Sequence, residues 1–327
     1  MKYRQLGKSG IKVSEIGFGT WGLGGTHKGA IGYGATDDRE SKEALKAAFD
    51  SGVNFYDTSN LYGFGHSEEL IGDVFRGLRD KIIIASKVGF VNFDAEQDFS
   101  VKHINASVEA SLNRLKTDYI DLYQLHSPPV DLLREEPQIL SAMQSLKREG
   151  KIRAVGISAR SPAEGIIAAD EFDIEAVQVN FNLIDQRVLE NGLLDRCFRK
   201  GIGIIVRTPL SFGFLTGKYS ASHKFEQGDH RGRFWDPEQI EEWTQAYKTF
   251  IEGIAQTQKA TRAQIALRFC LSWPQVSTII PGMLNKSQVN ENVASSRMGE
   301  LNPDDVESLL KRYSESIFSN MKLKKKK

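Results

Sequence analysis

Short apolar runs rich in Val, Ile and aromatic residues alternate with amphipathic stretches along most of the chain. Residues 15–20, 53–57, 82–87, 119–126, 152–158, 176–182, 201–207 and 277–282 have the length and composition of buried parallel strands. Between them, "RESKEALKAAFDSG" (39–52), "SVKHINASVEASLNRLK" (100–116), "QILSAMQSLKREG" (138–150) and "VLENGLLDRCFRKG" (188–201) place apolar residues at helical spacing. Several end in Gly, as helix C-termini often do. Residues 239–273 read as two helices broken near Thr261. Eight such β-then-α units fill the length of one (β/α)8 TIM barrel.

Two additions flank the repeat. "YRQLGKSGIKVSEI" reads as a hairpin around Gly7-Lys8-Ser9-Gly10, placed to cap the barrel floor. "NPDDVESLLKRYSES" (302–316) reads as an extra C-terminal helix with Asn302 at N-cap and Pro303 at N1. The expected fold class is α/β, a (β/α)8 barrel with an N-terminal β-hairpin cap and an extra C-terminal helix. Residues 1–321 are expected to form one domain, since no composition shift divides them, and the lysine-rich 322–327 to be a solvated, disordered tail. Residues 220–237 form the one long irregular polar stretch, and loops of that length are commonly functional.

A doubly wound sheet is the rival architecture. "GFGTWG" matches G-x-G-x-x-G at Gly17, Gly19 and Gly22, with Asp37 and Asp38 further on. That fingerprint requires a helix opening at its last glycine, where a pyrophosphate would meet the helix N-terminus. "LGGTHKGAIGYGATDD" follows instead and cannot open one.

Composition narrows the function classes. A net charge of +1, with 40% apolar and 26% charged residues, gives no reason to expect nucleic acid or membrane as a partner. Cys197 and Cys270 make neither a disulfide framework nor a metal site. No signal-peptide pattern and no bilayer-length apolar run occur. The expectation is a soluble cytoplasmic protein of open oligomeric state.

In such a barrel, catalytic groups sit at the C-terminal ends of several strands and converge on one mouth. Those ends carry Thr20, Asp57, Lys87, His126, Ser158, Asn182, Arg207 and Gly282. Singly, each has an ordinary reading: Asp57 as a cap, Tyr62 as a packed loop aromatic, Lys87 reaching to solvent, His126 as a rim histidine. Together, an acid, a phenol, an amine and an imidazole fall at consecutive strand ends and are near neighbours in space. A buried ammonium near a phenol is expected to lower the tyrosine pKa from its reference near ~10. Asp57 would keep Lys87 charged, Tyr62 would exchange a proton with an oxygen, and His126 would hydrogen-bond that oxygen as charge develops. No obvious nucleophile is present, and no metal is expected; His66 with Glu68 and Glu69 comes nearest to a ligand cluster. That set suits carbonyl reduction, with hydride from a cofactor.

The sequence resembles the aldo-keto reductase superfamily over nearly its whole length. The resemblance is carried by "GFGTWGLG" (17–24), "GVNFYDTSNLYG" (52–63), "IIIASKVG" (82–89), "SLNRLKTDYIDLYQLH" (111–126), "GKIRAVGIS" (150–158), "PLSFGFLTGKY" (209–219) and "IIPG…VNEN" (279–292). It implies a catalytic tetrad of Asp57, Tyr62, Lys87 and His126 and a nicotinamide cofactor, NADPH ahead of NADH. It also implies cofactor contacts at Thr20, Trp21 and Asp57, with Ser158 and Gln178 on the carboxamide. An asparagine of the family pattern is Ala159 here, and Arg207 stands where the family stacks an aromatic on the nicotinamide. Thr208, Pro209, Leu210, Gly213 and Leu215 fall on the pyrophosphate loop. Gly282 and Gln288 occupy positions that bind the 2′-phosphate in NADPH-preferring members, with Lys286 close by, and Glu291 and Asn292 fall at the adenine end.

The implied activity is reduction of an aldehyde, ketone or sugar-derived carbonyl to the alcohol. Alternatives are a cofactor-binding, redox-sensing subunit of an assembly, similar to channel β-subunits, and an NAD-linked polyol dehydrogenase. The substrate is expected to be a small-molecule carbonyl selected by loops 27–37, 89–99, 128–136 and 220–237. Within the last, "HRGRFWDP" (230–237) offers two arginines and two aromatics to a phosphorylated or nucleotide-linked substrate, or else serves as a solvated or cofactor-covering loop.

Overall fold

The computed structural model describes residues 1–94 and 96–320; the lysine run 322–327 lies outside them. An antiparallel hairpin of β1 (Tyr3–Gln5) and β2 (Lys12–Ser14) precedes eight parallel strands. These are β3 (Phe18–Gly19), β4 (Phe55–Asp57), β5 (Ile83–Val88), β6 (Ile120–His126), β7 (Ile152–Ser158), β8 (Ala176–Asn180), β9 (Gly203–Arg207) and β10 (Val276–Ile279). They neighbour one another in chain order. Parallel bridges Ile16–Ile279 and Gly19–Gly282 join the last strand to the first and close the barrel. No helix among the described residues is long and apolar enough to cross a membrane.

The period of two along each strand divides its side chains. Phe55, Ala85, Leu122, Ala154, Ala176 and Ile205 point inward and form one core with Leu6, Ile11 and Val13 of the hairpin. Tyr56, Ile84, Tyr123, Val155, Val177 and Val206 belong to the larger core beneath the surrounding helices. The hairpin therefore plugs the floor, as its pattern predicted. It approaches so closely that a Cβ on Gly203 would meet Leu6 Cδ1 at 2.6 Å, and Lys8 donates its backbone N–H to Gly201 O. Two residues further along four of these inward files come Asp57, Lys87, Gln124 and Gln178.

Several boundaries differ from expectation. Most strands are shorter than expected at one or both ends, whereas Ile152–Ser158 keeps its expected bounds and Ile83–Val88 runs one residue further toward the mouth. Residues 188–201 form two helices, Arg187–Glu190 and Leu193–Arg199, since Gly192 adopts φ 75° between them. Residues 239–273 carry three helices, Pro237–Phe250, Glu252–Thr257 and Arg262–Leu271. The break at Thr261 is a capping box with Gln264; the second break falls at Ile251. Residues 220–237 include one short helix, His230–Phe234. The terminal helix Pro303–Ser314 starts after Asn302 as expected, although the Asn302 side chain makes no capping hydrogen bond.

Candidate active site

Asp57 ends β4, Lys87 lies one residue before the end of β5 and His126 ends β6. Lys87 Nζ donates to Asp57 Oδ1 (2.5 Å), to Thr58 O (2.8 Å) and to the Tyr62 hydroxyl (3.1 Å). Asp57 Oδ2 accepts from Gln178 Nε2 at 2.7 Å and from Gln124 Nε2 at 3.2 Å. The polar run after β4 explains how Tyr62 reaches this ammonium. Thr58 N–H bonds Ala85 O, and Tyr62 N–H returns to Ser59 O, turning the chain over the strand end. The hydroxyls of Thr58, Ser67 and Thr20 then tie the turn to Asp57 O, which accepts from Thr20 Oγ1. His126 faces Tyr62 edge-on, ring centroids 6.3 Å apart, with Nδ1 3.4 Å from Ser59 Oγ.

Burial dominates the electrostatics here. It would pull the Lys87 ammonium down, but Asp57 and then Tyr62 more than offset it and leave the pKa above its ordinary value. Burial also raises Tyr62 above the usual phenol value, with Lys87 only partly opposing. This corrects the expectation of a lowered tyrosine pKa: removing the phenolate from water costs more than one ammonium, already neutralised by Asp57, returns. His126 is held well below the ordinary imidazole value by burial, and further by the charges of Lys87 and Arg207. The site thus presents a protonated phenol, a charged lysine and a neutral histidine near pH 7.

Tyr62 and His126 open onto a cavity of about 370 Å³, which Thr20, Trp21, Asp57, Gln178, Arg207 and Thr208 also line. A second cavity, about 390 Å³, shares Thr208, Phe212, Ile280 and Gly282 with it, so the two form one elongated cleft. Pro209, Leu210, Gly213, Gln288, Glu291 and Asn292 line the second cavity. Four sequence candidates lie outside the lining of the cleft, Lys87 among them, buried behind Tyr62 and Asp57. Ser158 and Leu215 are buried behind it and Lys286 is exposed outside its lining. Arg207 covers Ser158, donating to its Oγ at 3.3 Å and to Ala159 O at 2.9 Å. Gln288 Oε1 accepts from Leu284 N–H. The loop joining the cavities is strained: Thr208, Ser211 and Phe212 have φ of 54°, 45° and 57°. Such backbone marks functional loops more often than ordinary ones.

Some residues at the site had no warning in the strand-end reading. Gln124 was detectable, since "DLYQLH" alternates and puts Leu122, Gln124 and His126 on one face. Tyr33 and His230 fall in the expected mouth loops 27–37 and 220–237 without being assigned a role there, and Ser59, Lys218 and Tyr219 were not singled out, because turns and loops carry no period. Of the four expected mouth loops, 27–37, 89–99 and 220–237 contribute lining residues and 128–136 does not, being taken up partly by the helix Val130–Glu135. Of the arginines of "HRGRFWDP", Arg231 lines the second cavity with its guanidinium already paired, and Arg233 lies outside the cleft. Arg231 pairs with Asp229 and donates to Tyr219 Oη and Phe212 O, and Arg233 meets Asp94 at the surface. Glu68 turns inward to Ser86 Oγ and Arg114, away from His66.

Residues 15–313 match the model of the Aldo/keto reductase family. The chain belongs to the aldo-keto reductase family. Aldo-keto reductase YhdN of Bacillus subtilis (strain 168) is 32% identical over 307 residues, covering 88% of this chain and 87% of that protein. Among solved structures, the glycerol dehydrogenase AKR11B4 from Gluconobacter oxydans superposes with a TM-score of 0.79 at 26% identity, covering 96% of each chain. The holo form of aldo-keto reductase AKR11C1 from Bacillus halodurans gives 0.75 at 27% identity, over 95% of this chain and 96% of that one. As a member of this family the protein is an oxidoreductase acting on carbonyl or alcohol groups, and the family uses nicotinamide cofactors.

Proposed function

We propose that the protein reduces an aldehyde or ketone to the alcohol with NADPH, Tyr62 giving the proton. The observation that carries this reading is the Lys87 ammonium, which bonds Asp57 and the Tyr62 hydroxyl at the wall of the cavity. The residues present suit a nicotinamide dinucleotide: the joined cavities make an elongated cleft, and Arg207 Nε, at the joint between strand and loop, is buried without a partner.

When bound, the cofactor supplies the hydride that becomes the new C–H bond at the carbonyl carbon. The carbonyl oxygen gains negative charge as this happens, and Tyr62 donates its hydroxyl proton there. Lys87 donates to the tyrosine oxygen and stabilises the phenolate left behind, while Asp57, held by Gln178 and Gln124, keeps Lys87 charged. His126 is neutral; with Nδ1 accepting from Ser59, its Nε2–H donates to the same substrate oxygen. Carbonyl, NADPH and one proton become alcohol and NADP⁺, and solvent re-protonates Tyr62.

NADPH is taken as the preferred form because Lys218, in no ion pair among the described residues, lines the far cavity, and Lys286, likewise in none, lies two residues from Gln288, which also lines it. The second reading, an NAD-linked polyol dehydrogenase, is favoured by Gln288, whose carbonyl oxygen is already engaged by Leu284. Dissociation constants for NADPH and NADH separate the two. The reduction itself is tested by NADPH oxidation against aldehydes, ketones and keto sugars with the wild type and Tyr62→Phe; equal rates would sink it.

A further inference from the structure

The cavity holds a second imidazole. His230 opens the short helix His230–Phe234, and its backbone N–H bonds Gly32 O at 3.0 Å. Bridges from Asp229 to Gly32 and Tyr33 fasten this helix to the loop after β3. The ring packs among Phe212, Tyr33 and Trp21, with centroids 5.1, 5.4 and 5.9 Å away. Burial pulls its pKa down to about 4, so it is neutral near pH 7. His230 lines the cavity, yet its Nδ1 is buried without a hydrogen-bond partner. A buried orphan N–H is rarer than an under-used acceptor, so the proton belongs on Nε2. Nε2 is then the nitrogen that can donate to a molecule in the cavity.

The rest of the wall limits what that molecule is. Trp21, Phe90, Phe93, Phe212, Phe234 and Trp235 supply aromatic surface. Among the lining residues Asp57 is the one carboxylate, and it is engaged by Lys87, Gln178 and Gln124. Arg207 is the one lining side chain with a permanent positive charge, and it lies at the strand end, bonded to Ala159 O and Ser158. A phosphate or carboxylate placed against the aromatic wall would lose hydration and gain no ion pair there. Trp21 packs edge-on against both Tyr62 and His230, ring centroids 4.9 and 5.9 Å away, so the two groups share one aromatic neighbour on the cavity wall.

We propose that His230 is the distal anchor of a substrate subsite that takes a neutral aromatic carbonyl compound bearing an accepting oxygen across the ring from the carbonyl. The flat ring lies against the aromatic wall, the carbonyl meets Tyr62 and His126, and the far oxygen accepts from His230 Nε2. His230 is thus a positioning residue that sets specificity, and the assignment rests on the carbonyl-reduction reading of the site.

The test compares kcat/KM with NADPH for benzaldehyde, 4-methoxybenzaldehyde, 4-carboxybenzaldehyde and glyceraldehyde 3-phosphate in the wild type, His230→Leu and His230→Gln. The methoxy compound should exceed benzaldehyde about tenfold, through KM, as one hydrogen bond predicts. That ratio should collapse toward one in His230→Leu and return partly in His230→Gln, which keeps a donor. Binding of 4-methoxybenzyl and benzyl alcohol to the NADP⁺-loaded protein, followed by tryptophan fluorescence, should show the same ratio without turnover. Faster turnover of either charged aldehyde by the wild type, or an unchanged methoxy preference in His230→Leu, would overturn the subsite. Should the leucine variant not fold, the wild-type panel and the glutamine variant decide. Absence of turnover on every carbonyl would overturn the reduction reading instead, and alcohol binding would still decide the subsite.

Discussion

Lys87 and Asp57 form an ion pair 2.5 Å long with the two side chains 0% and 2% exposed. A buried charge of either sign is stable only while its partner is present. Replacing Lys87 by Met should therefore destabilise the protein by about 3–5 kcal/mol, by stranding a carboxylate. Lys87→Met/Asp57→Asn should recover much of that loss and none of the activity. Urea unfolding of the two variants checks this; equal stabilities would show that the pair does not act as a unit.

Tyr62→Phe removes the proton donor while keeping the ring packed on Trp21. Reduction should fall by about 10²–10⁴-fold, the usual worth of a positioned general acid. NADPH binding, read by fluorescence, should stay within a factor of about three, since the change deletes no cofactor-facing charge.

The pH dependence of reduction follows from the direction of two shifts. Burial raises Tyr62 and, with Lys87 and Arg207, lowers His126. Neither group titrates near neutrality, so kcat/KM should stay flat from about pH 6 to 9 and fall only above about 10. An inflection near ~6.5 that His126→Gln abolishes would contradict a neutral, buried His126.

His230 makes an acid-stability prediction. Its folded pKa is about 4, below the ordinary value of 6.5. Below ~6.5 the unfolded chain binds a proton that the folded one refuses, so stability falls with pH until the folded group also titrates near 4. Asp229 and Arg231 beside it act in opposite directions and are present in both proteins compared. His230→Leu should flatten the fall in melting temperature between pH 6.5 and 4, removing at most about 3 kcal/mol of pH dependence. Parallel melting curves for the two proteins would contradict this.

The cofactor preference separates the two lysines. Lys286→Ala should weaken NADPH about fivefold and leave NADH unchanged if Lys286 meets the 2′-phosphate, since one exposed ion pair carries at most about 1 kcal/mol. Lys218→Ala, inside the cleft, should weaken both cofactors alike. Equal losses for NADPH and NADH in Lys286→Ala would remove Lys286 from the site.

Much of the barrel was legible because each strand is a short apolar run, the hairpin alternates, and most connections carry a helical period. The floor hairpin, the strand order and the grouping of Asp57, Lys87 and His126 all follow from those patterns. Local breaks were less legible. Gly192 splits one helix through its φ, and Ile251 ends another, yet neither interrupts the apolar pattern strongly.

By itself, the sequence determined which side chains face into the barrel. The alternation that buries Phe55, Ala85, Leu122 and Ala176 sends Asp57, Lys87, Gln124 and Gln178 up the same inward files. Whether Tyr62 holds its proton was decided only by the tertiary structure, because desolvation depends on everything packed around the phenol. The same holds for Arg207, which covers Ser158, and for Arg231, paired with Asp229 at the wall of the second cavity. His230 reached the cavity through a loop with no period, held there by the bridges of Asp229 to Gly32 and Tyr33 and by its own N–H bond to Gly32 O. Side-chain direction on a strand is a local property of the backbone, whereas the charge and partners of a buried group belong to the assembled fold.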